Sequence, residues 1–235
     1  MLIQILEKWC LKNGISINDE QKSKFAIYSK MLEEWNKKMN LTAITQEDEV
    51  AVKHFIDSIS VLKYIDIKSE ASVIDIGTGA GFPGIPLKII RPDIKLTLLD
   101  SLNKRLIFLS EVCRAINLEA EIVHARAEEY GQKPEWREKF DYVVSRAVAN
   151  LPSLCEYCIP YVKKGGMFIS MKGSDGKNEL LLAQNAIKLL GGELDNIYHF
   201  ELPDENGRTI IAISKVYRTP DKYPRRGTKI VRNPL

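Results

Sequence analysis

The sequence predicts an α/β fold in which a seven-stranded, mostly parallel sheet carries an antiparallel hairpin at one edge. From residue 71 onward, short apolar runs alternate with longer amphipathic segments, a pattern typical of parallel strands covered by helices on both faces. The last two apolar runs, at 193–200 and 208–215, have no helical segment between them, which indicates the hairpin. A length of 235 residues, 45% of them hydrophobic, suits one substantial domain with an appendage.

Three parts are predicted along the chain. Residues 1–68 form a helical section packed on the core, residues 69–216 form the α/β domain, and residues 217–235 form a basic arm. The chain contains no internal repeat and no low-complexity segment, so these parts belong to one continuous globular protein.

Helices are predicted in the first part. Asn18 can cap a helix over 19–39. The apolar stripe of this helix has spacings of three and four and consists of Phe25, Tyr28, Leu32, Trp35 and Met39. A further helix is predicted from a cap at Thr45 to about Tyr64, because Asp48 stands three residues after Thr45 and acidic residues favour a helix N-terminus.

Five apolar runs predict the parallel strands, namely SVIDIG, KLTLLD, AEIVHA, FDYVVS and GGMFISMKG. Helical segments between them include SLNKRLIFLSEVCRAIN, NLPSLCEYCIPYV and NELLLAQNAIKLLG. Cys155 and Cys158 lie in the second of these helices. Because no second cysteine pair or histidine cluster accompanies them, we expect small buried residues on a helix and no metal site.

The cellular location is predicted from what the chain lacks. No run approaches the roughly 18 to 20 apolar residues of a spanning helix. The N-terminus shows no basic leader with a small-residue cleavage site, and four unpaired cysteines suit a reducing compartment. We therefore expect a cytoplasmic protein with no membrane partner.

A glycine-rich turn over 75–84 follows the first predicted strand and opens a helix. Gly77, Gly79 and the later glycines allow a tight turn and a close approach of the backbone to a ligand at the helix N-terminus. Asp100 ends the second strand, where a ribose hydroxyl is commonly bound. This pattern alone leaves a nicotinamide-dependent enzyme open.

Three features favour another cofactor. Asp75 stands two positions before Gly77, which resembles the first motif of class I methyltransferases. Too few residues follow the fifth strand for a separate substrate domain, and Ala127 and Glu128 follow the third strand, where methyltransferases surround adenine. The resemblance implies a Rossmann-like class I fold that binds S-adenosyl-L-methionine and releases S-adenosyl-L-homocysteine, with Gly77, Gly79 and Asp100 among the cofactor-binding residues.

The residues after the fourth strand narrow the choice of methyl acceptor. Residues 145–150 do not form the Asn/Asp/Ser-Pro-Pro-aromatic motif of enzymes that methylate exocyclic amines. Cys155 and Cys158 lie too far along the next helix to serve as the nucleophile of a pyrimidine-carbon methyltransferase. An acceptor with a free lone pair, such as N7 of guanine, needs only alignment and exclusion of water.

Eight segments in order resemble the family of bacterial ribosomal RNA small subunit methyltransferase G, also called glucose-inhibited division protein B. They are residues 38–42, 54–58, 75–84, 100–105, 126–128, 145–149, 171–173 and 223–226. The resemblance is collinear over nearly the whole chain. It implies methyl transfer to N7 of the guanine at position 527, in the decoding-region loop of 16S ribosomal RNA, on the RNA or on the small ribosomal subunit.

The resemblance also implies roles for individual residues. It assigns cofactor contacts to Gly77, Phe82, Ala127, Glu128 and Arg146. It places Asn40, His54 and Lys172 at the acceptor pocket, where Arg146 also serves, and these four are the candidate catalytic residues.

The segment from 215 to the C-terminus contains seven basic residues and one acidic residue. Such clustering favours contact with a polyanion, although a charged, solvated tail is the alternative. Arg225, Arg226 and Lys229 are the candidate phosphate contacts. The proline that the family usually has two places after Gly227 is absent, which leaves the bound conformation of the arm open.

Two other functions stay open from the residues alone, a methyltransferase for a small molecule or protein and a nucleotide-binding module without catalysis. For the RNA substrate, the deep and narrow major groove of an A-form helix hides N7 of guanine. The target is therefore expected in an open loop or swung out of a helix. We expect the protein to act as a monomer.

Overall fold

The computed structural model describes all 235 residues, and its strands are β1 (Ser72–Ile76), β2 (Lys95–Asp100), β3 (Glu121–His124), β4 (Phe140–Arg146), β5 (Val162–Lys172), β6 (Gly192–Glu201) and β7 (Gly207–Lys215). They form one sheet in the order β3-β2-β1-β4-β5-β7-β6. β1 to β5 pair in parallel, and β7 runs antiparallel to both of its neighbours. The predicted α/β fold class with an antiparallel edge hairpin is confirmed.

The helices are α1 (Leu2–Lys12), α2 (Asp19–Met39), α3 (Glu47–Val50), α4 (Asp57–Ile59), α5 (Val61–Tyr64), α6 (Gly84–Ile90), α7 (Asn103–Ala115), α8 (Ala127–Tyr130), α9 (Leu151–Cys158), α10 (Gly176–Leu189) and α11 (Gly227–Arg232). A π-helical segment, Ala51–Ile56, joins α3 to α4, and a 3₁₀ turn, Ile159–Tyr161, joins α9 to β5. None of the helices combines the length and apolar character needed to cross a bilayer.

The predicted helix over 19–39 is observed with its cap. Asn18 Oδ1 accepts a hydrogen bond from the Gln21 backbone at 2.8 Å, and the Gln21 side chain accepts one from the Asn18 backbone at 2.9 Å. The predicted cap at Thr45 is wrong, because Gln46 still has extended dihedrals and α3 begins at Glu47 without a side-chain cap. The helical run ends at Tyr64, as predicted.

The N-terminal helices pack on the turn that follows β1. Phe25, Tyr28 and Phe55 are fully buried and lie in one apolar cluster with Phe82 of that turn. The rings of Tyr28 and Phe82 stack with centroids 5.4 Å apart. Gln21 Nε2 donates to the Ile89 carbonyl at 2.8 Å and so satisfies a free carbonyl at the end of α6. The position of the turn thus depends on the N-terminal section.

The chain after β7 is fixed to the core by buried polar contacts. Lys215 is buried at the end of β7, where its Nζ lies 3.3 Å from Glu138, and burial lowers its pKa to about 8. Glu138 also accepts from the Thr219 backbone at 2.8 Å. Arg137 donates to the carbonyls of Thr219 and Tyr223, each at 2.7 Å. The first half of the arm is therefore packed.

Candidate active site

The glycine-rich turn is held closed by Asp75 at the end of β1. Asp75 is completely buried, and its Oδ2 accepts from the Thr78 hydroxyl and the Gly84 backbone, both at 2.8 Å. Burial, opposed by these hydrogen bonds, raises its pKa to about 7. Gly77 has φ +70°, and a Cβ there would lie 2.5 Å from Val148. A side chain at position 77 would therefore collide with the turn that follows β4.

A cleft of about 1070 Å³ opens beside this turn at the carboxyl ends of β1 to β4. Ligands of open parallel sheets bind at this end of the strands. The predicted cofactor residues that line the cleft are Gly77, Asp100, Ala127 and Glu128. The cleft also has apolar lining from Leu99, Ala125 and Tyr157. It therefore offers carboxylates and an apolar region near each other.

The carboxylate of Asp100 is held in one orientation. Its Oδ2 accepts from the Gly79 backbone at 2.9 Å, and its Oδ1 accepts from the Leu102 backbone at 2.9 Å. Arg105 Nη1 lies 3.3 Å from Oδ2. Gly79 does not line the cleft. Gly79 therefore contributes to the cleft only indirectly, because its backbone N–H fixes the position of the Asp100 carboxylate.

Phe82 belongs to the glycine-rich turn, but its side chain does not line the cleft. It is buried and stacks on His54, with ring centroids 4.5 Å apart at 21°. Its predicted contact with the cofactor therefore stays a prediction, and the structure adds a role in supporting His54.

A second cavity, of about 720 Å³, lies on the other side of the turn after β4. Of the four candidate catalytic residues, His54, Arg146 and Lys172 line it. Residues 147–149 line both cavities and so form the wall between them. Ala147 has φ +57°, in the left-handed region that is costly for a residue with a Cβ. Contacts with the neighbouring residues must therefore stabilise this backbone conformation.

Arg146 connects β4 to the N-terminal section. Its Nη1 donates to Asp57 Oδ2 at 3.0 Å and to the Lys53 carbonyl at 2.9 Å. Its Nη2 lies 3.2 Å from His54 Nδ1, and its guanidinium carbon lies 5.1 Å from the Phe82 ring centroid. Arg146 lines the second cavity and not the cleft. This position supports the predicted role of Arg146 at the acceptor pocket, which stays a prediction.

The imidazole of His54 is neutral. Burial, and then the neighbouring Arg146, lower its pKa to about 3. Its Nδ1 lies 3.2 Å from both Arg146 Nη2 and the Lys53 carbonyl, and its Nε2 lies 2.8 Å from Thr42 Oγ1. Both ring nitrogens are engaged, so His54 is suited to positioning and not to proton removal.

Lys172 supports the wall between the cavities from the end of β5. Its Nζ is 2.8 Å from Glu179 Oε2 and donates to the Ala149 carbonyl at 2.5 Å. The same Glu179 oxygen accepts from the Leu151 backbone at 2.6 Å. Lys172 and Glu179 thereby hold both ends of the segment that leads into α9.

The family model described as rRNA small subunit methyltransferase G matches residues 21–208 of the chain. The chain belongs to this family.

Curated proteins carry the same family name at high identity. The Ribosomal RNA small subunit methyltransferase G of Clostridium kluyveri is 49% identical over 233 residues, which cover 99% of this chain and 98% of that protein. The protein of that name from Acetivibrio thermocellus is 51% identical over 224 residues, covering 94% and 92%. The resemblance stated from the sequence motifs is thus confirmed.

Solved structures share the fold of this chain at low identity. TrmN from Thermus thermophilus superposes with a TM-score of 0.53 at 17% identity, covering 68% of this chain and 48% of TrmN. A ribosomal protein L11 methylase from Lactobacillus delbrueckii subsp. bulgaricus gives 0.53 at 16% identity, covering 70% and 79%. These likenesses show the methyltransferase fold alone, which the sequence predicted.

Three further candidate residues, besides Gly79 and Phe82, line neither cavity or are bound within the chain. Asn40 is an exposed left-handed residue at the end of α2, with φ +49°, and lines neither cavity. Arg225 is bound within the chain, since its Nη2 lies 2.7 Å from Glu156 Oε2 and its Nε lies 2.9 Å from Oε1. Lys229 is exposed on α11, whereas Arg226 lines the cleft. Their predicted roles stay predictions.

Several residues of the site were missed from the sequence. Asp57 appears in a family motif, but its carboxylate links Arg146 to Arg208, whose Nε lies 3.2 Å away. Arg208 and Glu179 carry no motif. Arg208 is at the start of β7, which pairs with β5, and Glu179 is in the first turn of α10, where it contacts Lys172 at the end of β5. Asn36 holds the loop residue Thr42 through two hydrogen bonds of 2.8 Å. Their positions depend on tertiary structure.

Cys155 and Cys158 are buried on α9, where the sequence placed them as small helix residues. Burial raises the pKa of both thiols above their ordinary value. A raised pKa keeps a thiol protonated and unreactive.

Proposed function

We propose that this protein transfers the methyl group of S-adenosyl-L-methionine to N7 of a guanine in the decoding-region loop of 16S ribosomal RNA. The main observation behind the proposal is that residues 147–149 line both cavities and separate them. A cofactor in the glycine-loop cleft and a base in the second cavity would meet across that wall. Family membership supports the choice of ribosomal RNA as the substrate.

The cleft fits the proposed cofactor by its donor set. The fixed carboxylate of Asp100 can accept ribose hydroxyl hydrogens, and the apolar lining of Leu99 and Ala125 suits an adenine ring. The space beside Gly77 tolerates no side chain. When bound, S-adenosyl-L-methionine supplies an electrophilic methyl group on a positively charged sulfur.

The second cavity suits an acceptor that needs no general base. His54 is neutral with both nitrogens engaged, and Lys172 is paired with Glu179. N7 of guanine has a free lone pair, so methyl transfer requires alignment and exclusion of water. Arg146 and its partners would orient the base, in keeping with this requirement.

The charge of the second cavity supports a nucleotide acceptor. Its charged lining consists of Lys53, Arg146, Lys172, Arg208, Asp57 and Glu179. The cations outnumber the carboxylates, which favours a phosphate next to the target base. Arg226 and Lys229 extend the positive charge along the arm, where they would position the RNA backbone.

The test is methyl transfer from labelled S-adenosyl-L-methionine to small ribosomal subunits, with the modified base mapped by chemical cleavage at N7-methylguanine. We expect one labelled guanine in the decoding-region loop, and no label in subunits where that guanine is replaced by adenine. Binding of the cofactor with no labelled RNA would refute the substrate while leaving the cofactor site intact.

The remaining parts of the proposal concern the oligomeric state of the active protein and its location in the cell. We propose action as a monomer in the cytoplasm, where small ribosomal subunits are assembled. Sedimentation of the active protein with and without subunits tests the monomer, because a dimer would sediment faster before any subunit is added.

A further inference from the structure

The short helix α11 is held in place on the core. Arg225, just before it, donates from its backbone to Glu156 Oε1 at 2.7 Å and pairs with the same carboxylate through its side chain. Glu156 is fully buried, so this pairing occurs in a region shielded from water. Ile230 of α11 is also fully buried, and its carbonyl lies near Ser153 Oγ. The end of the arm thus has a defined position.

That position is at the rim of the cofactor cleft. The lining residues contributed by the arm are Arg226, Gly227, Thr228, Val231 and Arg232. Gly227 approaches the Glu128 carboxylate so closely that a Cβ at 227 would collide with Oε1. The arm therefore packs directly against the segment that the family resemblance assigns to the adenine region.

Val231 is an exposed apolar residue at the rim of the cleft. Its side chain is 68% exposed although it lines the cleft, whereas its neighbour Ile230 is fully buried. The same cleft is lined by the apolar groups of Leu99, Ala125 and Tyr157. An adenine ring has apolar faces that suit a surface of this kind.

We propose that α11 is part of the cofactor site, and that Val231 covers the adenosine end of bound S-adenosyl-L-methionine. The inference rests on the proposed function, since it takes the glycine-loop cleft as the site of that cofactor. It gives the arm a role in cofactor affinity that is independent of RNA. Lys229, which is exposed and outside the lining of the cleft, remains free for phosphate on the same helix.

The test measures cofactor binding without RNA, by calorimetric titration of the full chain with S-adenosyl-L-methionine. We expect Val231→Ala to weaken binding about five- to tenfold, because it removes two methyl groups from the cover. A chain ending at Arg225 should lose at least as much affinity. Lys229→Ala, on the same helix, is the matched control and should bind the cofactor like the wild type.

The outcomes separate this inference from the proposed function. If the wild type and Val231→Ala bind the cofactor equally, Val231 does not cover it and the inference is overturned, even if the shortened chain binds poorly. If the wild type binds no cofactor at all, the proposed function itself fails. Thermal unfolding of each variant shows whether a loss of affinity reflects a loss of folding.

Discussion

The guanidinium of Arg146 is the point at which the N-terminal section meets the sheet. It donates to Asp57 and to the Lys53 carbonyl, and its Nη2 lies 3.2 Å from Nδ1 of His54, whose pKa is lowered to about 3. A neutral His54 adds no second positive charge beside Arg146. These residues therefore form a hydrogen-bonded group beside the second cavity, where we propose that the acceptor base binds.

The neutral state of His54 predicts a pH dependence of stability. Its pKa falls from 6.5 in a free chain to about 3 in the fold, so below pH 6.5 the unfolded chain binds a proton that the folded protein does not. Acid therefore favours unfolding through this group. Between about pH 6 and pH 4, the free energy of unfolding of the wild type should fall, relative to His54→Gln, by about 1.4 kcal/mol per pH unit.

Urea unfolding at a series of pH values measures this difference. Comparison with His54→Gln at each pH cancels the contribution of other groups, including Asp75, whose raised pKa of about 7 has the opposite sign. His199→Gln, at an exposed histidine, is the control and should follow the wild-type curve. Parallel curves for the wild type and His54→Gln would contradict the neutral state.

The contacts of Asp57 predict that its substitution lowers the stability of the fold. Its Oδ2 pairs with both Arg146 and Arg208, and its Oδ1 is buried without a partner. Asp57→Asn would leave two partly buried cations without their counter-charge, and should lower the free energy of unfolding by about 2 to 4 kcal/mol. Asp66→Asn, at an exposed aspartate, should change it by less than about 0.5 kcal/mol. Chemical denaturation of both variants checks the difference, and equal stabilities would show that the arginines do not depend on Asp57.

Among the elements, α2 has the largest influence on the site without lining the cleft. Tyr28 is fully buried in this helix, and its hydroxyl donates to the Ala80 carbonyl in the glycine-rich turn. A Cβ at Gly81 would lie 2.7 Å from the Tyr28 hydroxyl, so helix and turn are closely fitted. The N-terminal section thus shapes the cofactor loop as well as covering the sheet.

Removal of that hydroxyl tests the link between α2 and the turn. Tyr28→Phe should lower stability by about 1 kcal/mol, because the buried Ala80 carbonyl loses its donor. It should also weaken S-adenosyl-L-methionine binding several-fold, because the turn becomes less ordered. Tyr64→Phe, in α5, is the control and should bind like the wild type. Unchanged cofactor affinity in Tyr28→Phe would mean that the turn is held by Asp75 alone.

The elements were largely predictable, because hydrophobic periodicity and caps are local properties of the sequence. The helix over 19–39 and the hairpin near the C-terminus are confirmed for this reason. Arg208 could not be found in this way, since only the folded chain brings the start of β7 to Asp57 of the N-terminal section. Glu179 carries no motif that indicates its contact with Lys172. The structural use of Arg225 was hidden likewise, because Glu156 is 69 residues away in the chain.

On the scale of the whole molecule, the N-terminal section and the C-terminal arm both contribute to the surroundings of the glycine-rich turn and its cleft. The N-terminal helices hold the glycine-rich turn from one side, and the C-terminal arm borders the cofactor cleft from the other. The arm is therefore a packed part of the protein, at least through Ile230, and not a solvated tail. Its anchor is the buried carboxylate of Glu156.

Loss of this anchor should release the arm. Glu156→Gln removes the charge that holds Arg225, so trypsin should cleave after Arg225 or Arg226 at least about tenfold faster, in line with a loss of about 1.4 kcal/mol or more in the stability of the closed arm. Glu135→Gln, at an exposed glutamate, should be cleaved like the wild type. Mass spectrometry of the released C-terminal peptide measures the rate. Equal rates would place the anchor elsewhere, for example in Ile230.

The wall formed by residues 147–149 has one more consequence, because each cavity shares it with the other. In the proposed function the cofactor and the acceptor base lie against opposite sides of this wall, so we expect their binding free energies to be coupled. Such coupling is reciprocal by thermodynamic necessity. Whatever factor the ribosomal substrate adds to the affinity for S-adenosyl-L-methionine, the cofactor adds to the affinity for the substrate.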